Sequence, residues 1–559
     1  MNIQTYLGKI TRKEKNHFWI FVSVLVLITM FVMYRFSVFD LVSVGHDATF
    51  HYNRFISLSD AVSNGKFPVY IDYEAIDNYG YATNLFYPNF TLIPFAFISK
   101  YTGYIIAYQI MCFTYTIFTG LFTYLCINKI FKDKLTAYLS AIIYTFCLYR
   151  LQGYFERSAI AEAVTFTFLP LIFYGLYEIL RGNYKKWYIL SIGYSLFVLT
   201  HILSTILISI LIFIYIILSF KYLKKEPFRI YYIIISISIS ILLSSYFILP
   251  FLEQTISNSF NFEIFTNYPF SRVNSDDIFK VFFSLGKEKS FLPAIGLTIT
   301  LPLLCRFFIR KSDKIAKYID YLAIAGLVLT LYTFDFLPQF LYNNYIFSRI
   351  QFLFRIYEFS SFILAIAGSY YLSKVIRLNT RNILIIPIFL ILILTSIFLS
   401  SWNIFNYAKY GIVNLPERSL SNNYFLGYAD NLEYLPITLT TTSIEKRGEI
   451  IKKENTDTSI NKIKRNRGKI EFNVNPISKD VLELPLTYYK GYTATINNAN
   501  IEVTKSKNGF VEIPVNQSGK VTVEFTGTFL QKYSIYITLI SIILLSIYII
   551  IQNRKLQKC

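Results

Sequence analysis

The run "SVGHDATFHYNRF" (residues 43–55) gathers two of the chain's four histidines, an aspartate and an arginine beside a long hydrophobic stretch. His46, Asp47, His51 and Arg54 are the residues here with chemistry to offer. On a helix Asp47 and His51 are i, i+4 neighbours and could share a metal ion. No third ligand stands close in sequence and no cysteine is near, so a divalent metal is the disfavoured reading. A general base is the stronger one: a carboxylate against an apolar wall has a raised pKa and can take a proton from a sugar hydroxyl. The structural alternative makes Asp47 the cap of the helix that follows.

Other ionisable residues stand at the ends of apolar runs. Arg150, Arg157 and Glu162 flank one turn, His201 lies in "LTHILST", Glu253 follows Pro250, and Arg355 and Glu358 lie in "IQFLFRIYEFSS". Arg150, Arg157 and Arg355 suit a phosphate or pyrophosphate, because guanidinium offers a planar fork and keeps its charge in apolar surroundings. The structural alternative is ion pairing, Arg157 with Glu162 and Arg355 with Glu358.

The elements that must position these residues follow from hydropathy. The chain is 54% hydrophobic, with runs such as Phe18–Val38, Ile202–Phe220, Ile383–Leu399 and Ile535–Ile551 close to the ~20 residues that cross a bilayer. The net charge of +20 does not point to nucleic acid, since Lys and Arg cluster in short loops between apolar runs, as membrane topology requires. The five cysteines lie in apolar runs or at the last position, which implies no disulfide framework. The first run lacks a small-residue cleavage site and reads as a span rather than a signal peptide.

Placing each basic cluster in the cytoplasm predicts twelve spans in pairs: 18–38 and 104–128; 135–150 and 158–180; 187–201 and 202–220; 229–250 and 290–309; 318–335 and 352–373; 383–402 and 533–551. Both termini are then cytoplasmic, in the cell membrane. The predicted fold is a polytopic all-α membrane protein with a transmembrane domain over 1–402. A long first outer loop covers 39–103, an extracytoplasmic β-rich domain 403–531, and a last span with cytoplasmic tail 532–559. Within the first loop, 85–99 is interrupted by Pro88 and Pro94 and reads as interfacial or re-entrant. Residues 53–69 read as a short helix lying on the membrane, ended by Gly65 and Pro68. Alternating runs near the end, with Asn508-Gly509 between two of them, predict hairpins and a small sandwich. Residues 441–468 are expected to form a flexible connection or exposed strand edges. In this topology the ionisable residues singled out above all fall at one level, the outer face, where several together predict a polar cavity.

The segments "GHDATFHYNRF", "NGKFPVY", "YGYATNLFYPNF", "YRLQGYFERSAIAEAVTFTFLPL", "LTHILS" and "IQFLFRIYEF" resemble large bacterial membrane proteins related to YfhO and to the pyruvoyl-tetrahydropterin-synthase-related membrane proteins. The C-terminal "YYKGYTATINNANIEV" is similar to the β module of that group, with Lys490 and Tyr492 in place of its usual proline and tryptophan. The group looks like the GT-C glycosyltransferase superfamily. The resemblance implies an inverting transfer of sugar from a polyprenyl-phosphate donor to a cell-envelope polymer, such as a teichoic acid, or to a glycolipid. It also implies an essential acidic residue early in the first outer loop, a position that Asp47 matches. No Asp-x-Asp motif is present, against a metal-dependent version, and nothing in the sequence suits a pterin.

The expected assignment is therefore Asp47 as catalytic base, with His46, His51, Arg54, Arg150, Arg157, Glu162, His201, Glu253, Arg355 and Glu358 around the substrates. The expected partners are the lipid-linked donor, the envelope acceptor and the bilayer. The alternative is a transporter or flippase of a lipid-linked or polymeric saccharide, which would favour internal repeats and midplane charges; neither is evident. A non-catalytic envelope protein whose β domain binds polymer would leave the first-loop cluster unexplained.

Overall fold

A computed structural model describes residues 12–38, 47–76, 78–264, 271–286, 291–310, 313–342, 350–378, 385–409, 432–448, 451–455 and 457–558. The chain is mostly helical, with a C-terminal module of two β-sheets. Among the described residues, five helical stretches are long and apolar enough to cross a membrane: Asn16–Tyr34, Tyr104–Phe131, Leu353–Leu378, Pro387–Asn406 and Phe529–Arg554. Phe228–Leu243 and Ser245–Ser257 make a sixth if read together, although they meet at a bend of 77°. Many large apolar side chains on these helices face outward, including Trp19, Leu27, Leu392, Leu539 and Leu544. Such a surface is unfavourable in water and fits hydrocarbon.

Twelve separate long spans are not what the described chain contains. The predicted span 135–150 is the helix Lys134–Thr145, broken at Phe146 and Cys147 before Leu148–Phe155. The predicted span 158–180 is Ile160–Thr165 followed by Leu169–Leu180, with Pro170 in the first turn of the second helix. Proline lacks the N–H that would continue a helix through it and fits an N-terminal turn. Among the described residues of the 290–309 region the helical parts are Leu297–Leu304 and a 3₁₀ turn. Hydropathy averages over such breaks and cannot register them.

The first loop is built inward rather than spread on a surface. The helix Ala48–Ser63 begins earlier than predicted and stops before Gly65, whose φ is +71°. Instead of lying on an interface it is enclosed, burying Tyr52, Phe55 and Leu58 together with Arg54, Ser57 and Ser59. Tyr52 and Phe55 pack edge-on against Tyr108 of the Tyr104–Phe131 helix. The 85–99 run divides into Thr83–Phe86, a turn, and Ile93–Thr102.

The sheets stack as a sandwich. One holds β1 (Lys452–Lys453), β4 (Asp480–Thr487), β8 (Phe510–Val515) and β7 (Thr504–Lys505), in the order β1-β4-β8-β7. The other holds β2 (Ser459–Asn466), β3 (Lys469–Asn475), β9 (Gly519–Phe525), β5 (Tyr492–Ile496) and β6 (Ala499–Ile501), in the order β2-β3-β9-β5-β6. Alternation aims Ile470, Phe472 and Val474 of β3 and Leu482, Leu484 and Leu486 of β4 into one shared core. The predicted turn at Asn508-Gly509 joins β7 to β8, with Gly509 at φ +86° donating its N–H to Ser506 O at 2.9 Å. Residues 441–468 include the helix Thr441–Arg447 and the mostly exposed edge strand β2.

The sandwich core is not closed by the sheets alone. Tyr70, Ile71, Ala82, Leu85 and Phe86 of the first loop enter it. A neighbouring cluster joins Ala75, Ile76, Tyr79 and Tyr81 to Leu432, Leu435, Leu439 and Phe510. Backbone pairing adds to this, since Thr487 N–H donates to Tyr79 O at 2.9 Å. Residues 70–86 of the first loop and the β module are thus packed together.

Candidate functional site

Asp47 opens the Ala48–Ser63 helix. Its backbone N–H donates to Arg157 O at 2.9 Å, and its carbonyl accepts the N–H of His51 at 3.1 Å. It occupies the cap position, but its side chain makes no cap hydrogen bond. Instead the carboxylate stands 3.8 Å from Arg157 Nη2, with 42% of the side chain exposed. The capping alternative therefore describes where Asp47 sits in the backbone, not what its carboxylate does.

Arg157 is held from the other side by Glu162, both of whose oxygens lie 3.2 Å from Nη1. The turn from 155 to 160 makes this contact, with Ser158 at φ +57° bringing the two side chains back toward each other. Glu162 also accepts from Tyr149 Oη at 2.5 Å, and its Oε2 lies 3.4 Å from Arg355 Nε. Arg355 does not pair with Glu358, as sequence proximity suggested. Its Nη1 donates to Ile350 O at 2.6 Å and to Gln351 Oε1 at 3.3 Å.

Glu358 belongs to a second chain of contacts. It accepts from Thr165 Oγ1 at 2.5 Å and from Ser204 Oγ at 2.6 Å, and Ser204 Oγ lies 2.7 Å from His201 Nδ1. His201 caps the Ile202–Leu218 helix, so the ring is fixed by the same turn that starts the helix. The His201 ring also packs on Tyr87, at 5.8 Å between centroids.

Tyr87 joins the two sets. Its ring lies under the Arg54 guanidinium at 4.2 Å and meets the edge of His51. Arg54 is 1% exposed, and its Nε and Nη1 have no hydrogen-bond partner among the described residues; nor has His51 Nδ1. Burial, reinforced by the charge of Arg54, pushes the His51 pKa well below its usual value, so the ring is neutral. A buried guanidinium lacking partners is costly unless something anionic completes it.

Glu433 closes the group from the β-module side. The charges of Arg355 and Asp47 act on it. Burial, helped by Asp47, raises its pKa above the ordinary carboxylate range despite Arg355. Beside it, Tyr434 stacks on Phe86 and reaches toward Phe50.

The fold thus gathers Asp47, His51, Arg54, Arg157, Glu162, His201, Arg355 and Glu358 from four stretches of sequence. Two others lie elsewhere. Arg150 is buried but spends its guanidinium on Thr145 O, Thr116 Oγ1 and Thr119 Oγ1 and stacks on Tyr154, which ties neighbouring helices together. Glu253 bonds Thr528 and faces Lys490 at 3.8 Å, where a helix, the β module and the last helix meet. His46 lies outside the described residues. Tyr87, Tyr149, Thr165, Ser204 and Glu433 were not singled out from sequence. Tyr87, Tyr149, Thr165 and Ser204 stand inside motifs already notable there, whereas Glu433 is one carboxylate in a long polar segment and carried no signal. Among the described residues no group of three or more His, Cys, Asp or Glu could hold a metal ion.

No family model matches the sequence. The chain is 23% identical to an uncharacterized protein of Lactococcus lactis subsp. cremoris (strain MG1363), in an alignment covering 98% of this chain and 97% of that protein. The similarity therefore spans both the helical part and the β module.

Proposed function

We propose that this chain is an integral-membrane, inverting glycosyltransferase that uses a polyprenyl-phosphate-linked sugar on the extracytoplasmic side. The observation that carries the reading is a half-exposed carboxylate, Asp47, 3.8 Å from the buried Arg157 guanidinium. Two turns along the helix that Asp47 opens stands a second buried guanidinium, Arg54, whose Nε and Nη1 have no hydrogen-bond partner among the described residues. On this reading Asp47 is the proton acceptor and Arg54 the anion site.

In the proposed step an acceptor hydroxyl oxygen bonds to the anomeric carbon as its proton passes to Asp47. The bond from that carbon to the phosphate oxygen breaks, and its electron pair leaves with the lipid phosphate. Arg54 stabilises the charge gained by the phosphate. Glu162 holds Arg157, and Arg157 in turn orients Asp47. Glu433 and Tyr434 cover the site from the β module.

Membrane placement belongs to the same proposal. The five or six long apolar helices cross, and the shorter apolar pieces complete twelve crossings as broken spans. Breaks are tolerated at membrane depth where protein encloses them. Both termini are then cytoplasmic and the β module is outside. The acceptor is a polymer or glycolipid of the envelope.

The test is Asp47→Asn in membranes supplied with a lipid-linked sugar. Transfer should fall by about 10²–10⁴-fold, the usual worth of a positioned base. Unimpaired transfer removes Asp47 from the mechanism.

One observation favours the transporter alternative, the sharply bent pair 228–257, since transporters place substrates at broken helices. The Tyr246 N–H at that bend is taken internally, however, by Thr538 Oγ1 at 2.9 Å. Saccharide flux into proteoliposomes without any transfer would favour that alternative.

A further inference from the structure

A cavity of about 440 Å³ lies on the far side of the Ala48–Ser63 helix from its N-terminus. Its wall combines that helix at Ser57, Asp60 and Ala61 with the 66–74 stretch, the end of β9 and the start of the last helix. None of the residues of the Asp47 cluster lines it. Yet Asp47 and Asp60 share one helix, roughly 20 Å apart at 1.5 Å per residue. Three parts of the chain distant in sequence must come together to make the cavity, and Tyr70 Oη pins them by donating to Gln531 O at 2.6 Å.

The lining identifies what would fit. Lys66, Arg467 and Lys532 stand among Asp60, Asp72 and Glu524, and Arg467 is 3.8 Å from Glu74. The charges nearly cancel, so the cavity suits neither a polyanion nor a cation. It offers many donors and acceptors to a neutral ligand rich in hydroxyls. Phe67 supplies an apolar wall: one face of its ring stacks on Tyr246 at 6.1 Å, and the ring stays 40% exposed. A flat ring beside a dense set of polar groups matches a sugar, whose C–H face is apolar and whose rim is polar.

We propose that this cavity binds a neutral oligosaccharide segment of the acceptor, holding it while its end reaches Asp47. The assignment of the ligand as acceptor rests on the glycosyltransferase reading; the saccharide site itself does not. Occupancy requires the β module and first loop to stay packed together, which gives the module a part in substrate binding.

The test uses the full chain in lipid nanodiscs with neutral tetrasaccharides of glucose, galactose and N-acetylglucosamine, and with poly(glycerol phosphate) as an anionic control. Binding is followed by saturation-transfer NMR and calorimetry. At least one neutral probe should bind saturably. Phe67→Ala, and Thr526→Trp placed to fill the cavity, should each weaken it about tenfold. That loss corresponds to about 1.4 kcal/mol. Lys532→Ala, at an exposed position, serves as a third variant should either of these not fold. Asp47→Asn should leave binding unchanged. Binding by none of the neutral probes, binding of the polyanion only, or neutral binding indifferent to all the cavity variants overturns the proposal. In a transfer assay the cavity variants should raise KM for acceptor while kcat holds. If saccharide binds as described but no transfer is detected with any donor, the site stands and the enzyme reading falls.

Discussion

Glu162 is the keystone of the charged cluster, and replacing it by alanine gives the sharpest test of how that cluster is held. The side chain is 3% exposed, faces Arg157 and Arg355, and takes the Tyr149 hydroxyl at 2.5 Å. Removing one partner from a buried ion pair costs about 3–5 kcal/mol, because the charge left behind stays desolvated. After Glu162→Ala, Arg157 keeps the Phe354 ring at 5.1 Å and, as its carboxylate among the described residues, Asp47, which is 3.8 Å away and 42% exposed; such an ion pair is worth at most about 1 kcal/mol. Arg355 keeps Ile350 O and Gln351. The expected loss is therefore about 4 kcal/mol. Arg157→Ala should cost less, since Glu162 would still have Arg355 and Tyr149 to offset its buried charge. Unfolding free energies from denaturant titration in mixed micelles measure both. A Glu162→Ala cost below about 1 kcal/mol, or an Arg157→Ala cost above that of Glu162→Ala, would refute the reasoning, because either means that Glu162 is not the shared counter-charge.

Arg54→Met should change stability by less than about 1 kcal/mol in ligand-free protein, since lost stacking on Tyr87 is offset by relief of a desolvated charge; it should weaken binding of a lipid phosphate at least about tenfold, read by calorimetry. His51 makes stability pH-dependent. Its folded pKa lies below the unfolded value of about 6.5, so the unfolded chain takes the proton first. Its contribution to stability should be full above about pH 6.5 and fall below it by at most ~1.4 kcal/mol per pH unit, and His51→Leu should lessen the acid-side slope by that share without abolishing it. Gly468→Ala should cost roughly 1–3 kcal/mol, because φ is +80° and the added Cβ would sit 2.0 Å from Tyr73 Cδ1; a thermal melt reads the change directly.

The sequence by itself determined the apolar helices, the alternating strands and the Asn508-Gly509 turn, because each depends on a local period or a local backbone preference. It also identified eight of the residues that now stand together, since ionisable groups among apolar runs are conspicuous wherever they point. Helix continuity was not legible: Pro170 and the Phe146–Cys147 break lie inside runs whose average hydropathy hides them. Only the tertiary structure decided the partners. Arg355 faces Glu162 rather than Glu358, and Arg150 turns away to threonines, because these choices depend on which helices become neighbours. The same holds for Glu433 and for the first-loop residues that complete the sandwich core. The first-loop contacts with the sandwich span more than three hundred residues of chain, and no local pattern encodes a pairing at that separation; it is fixed by how apolar surfaces from both ends of the sequence are buried against each other.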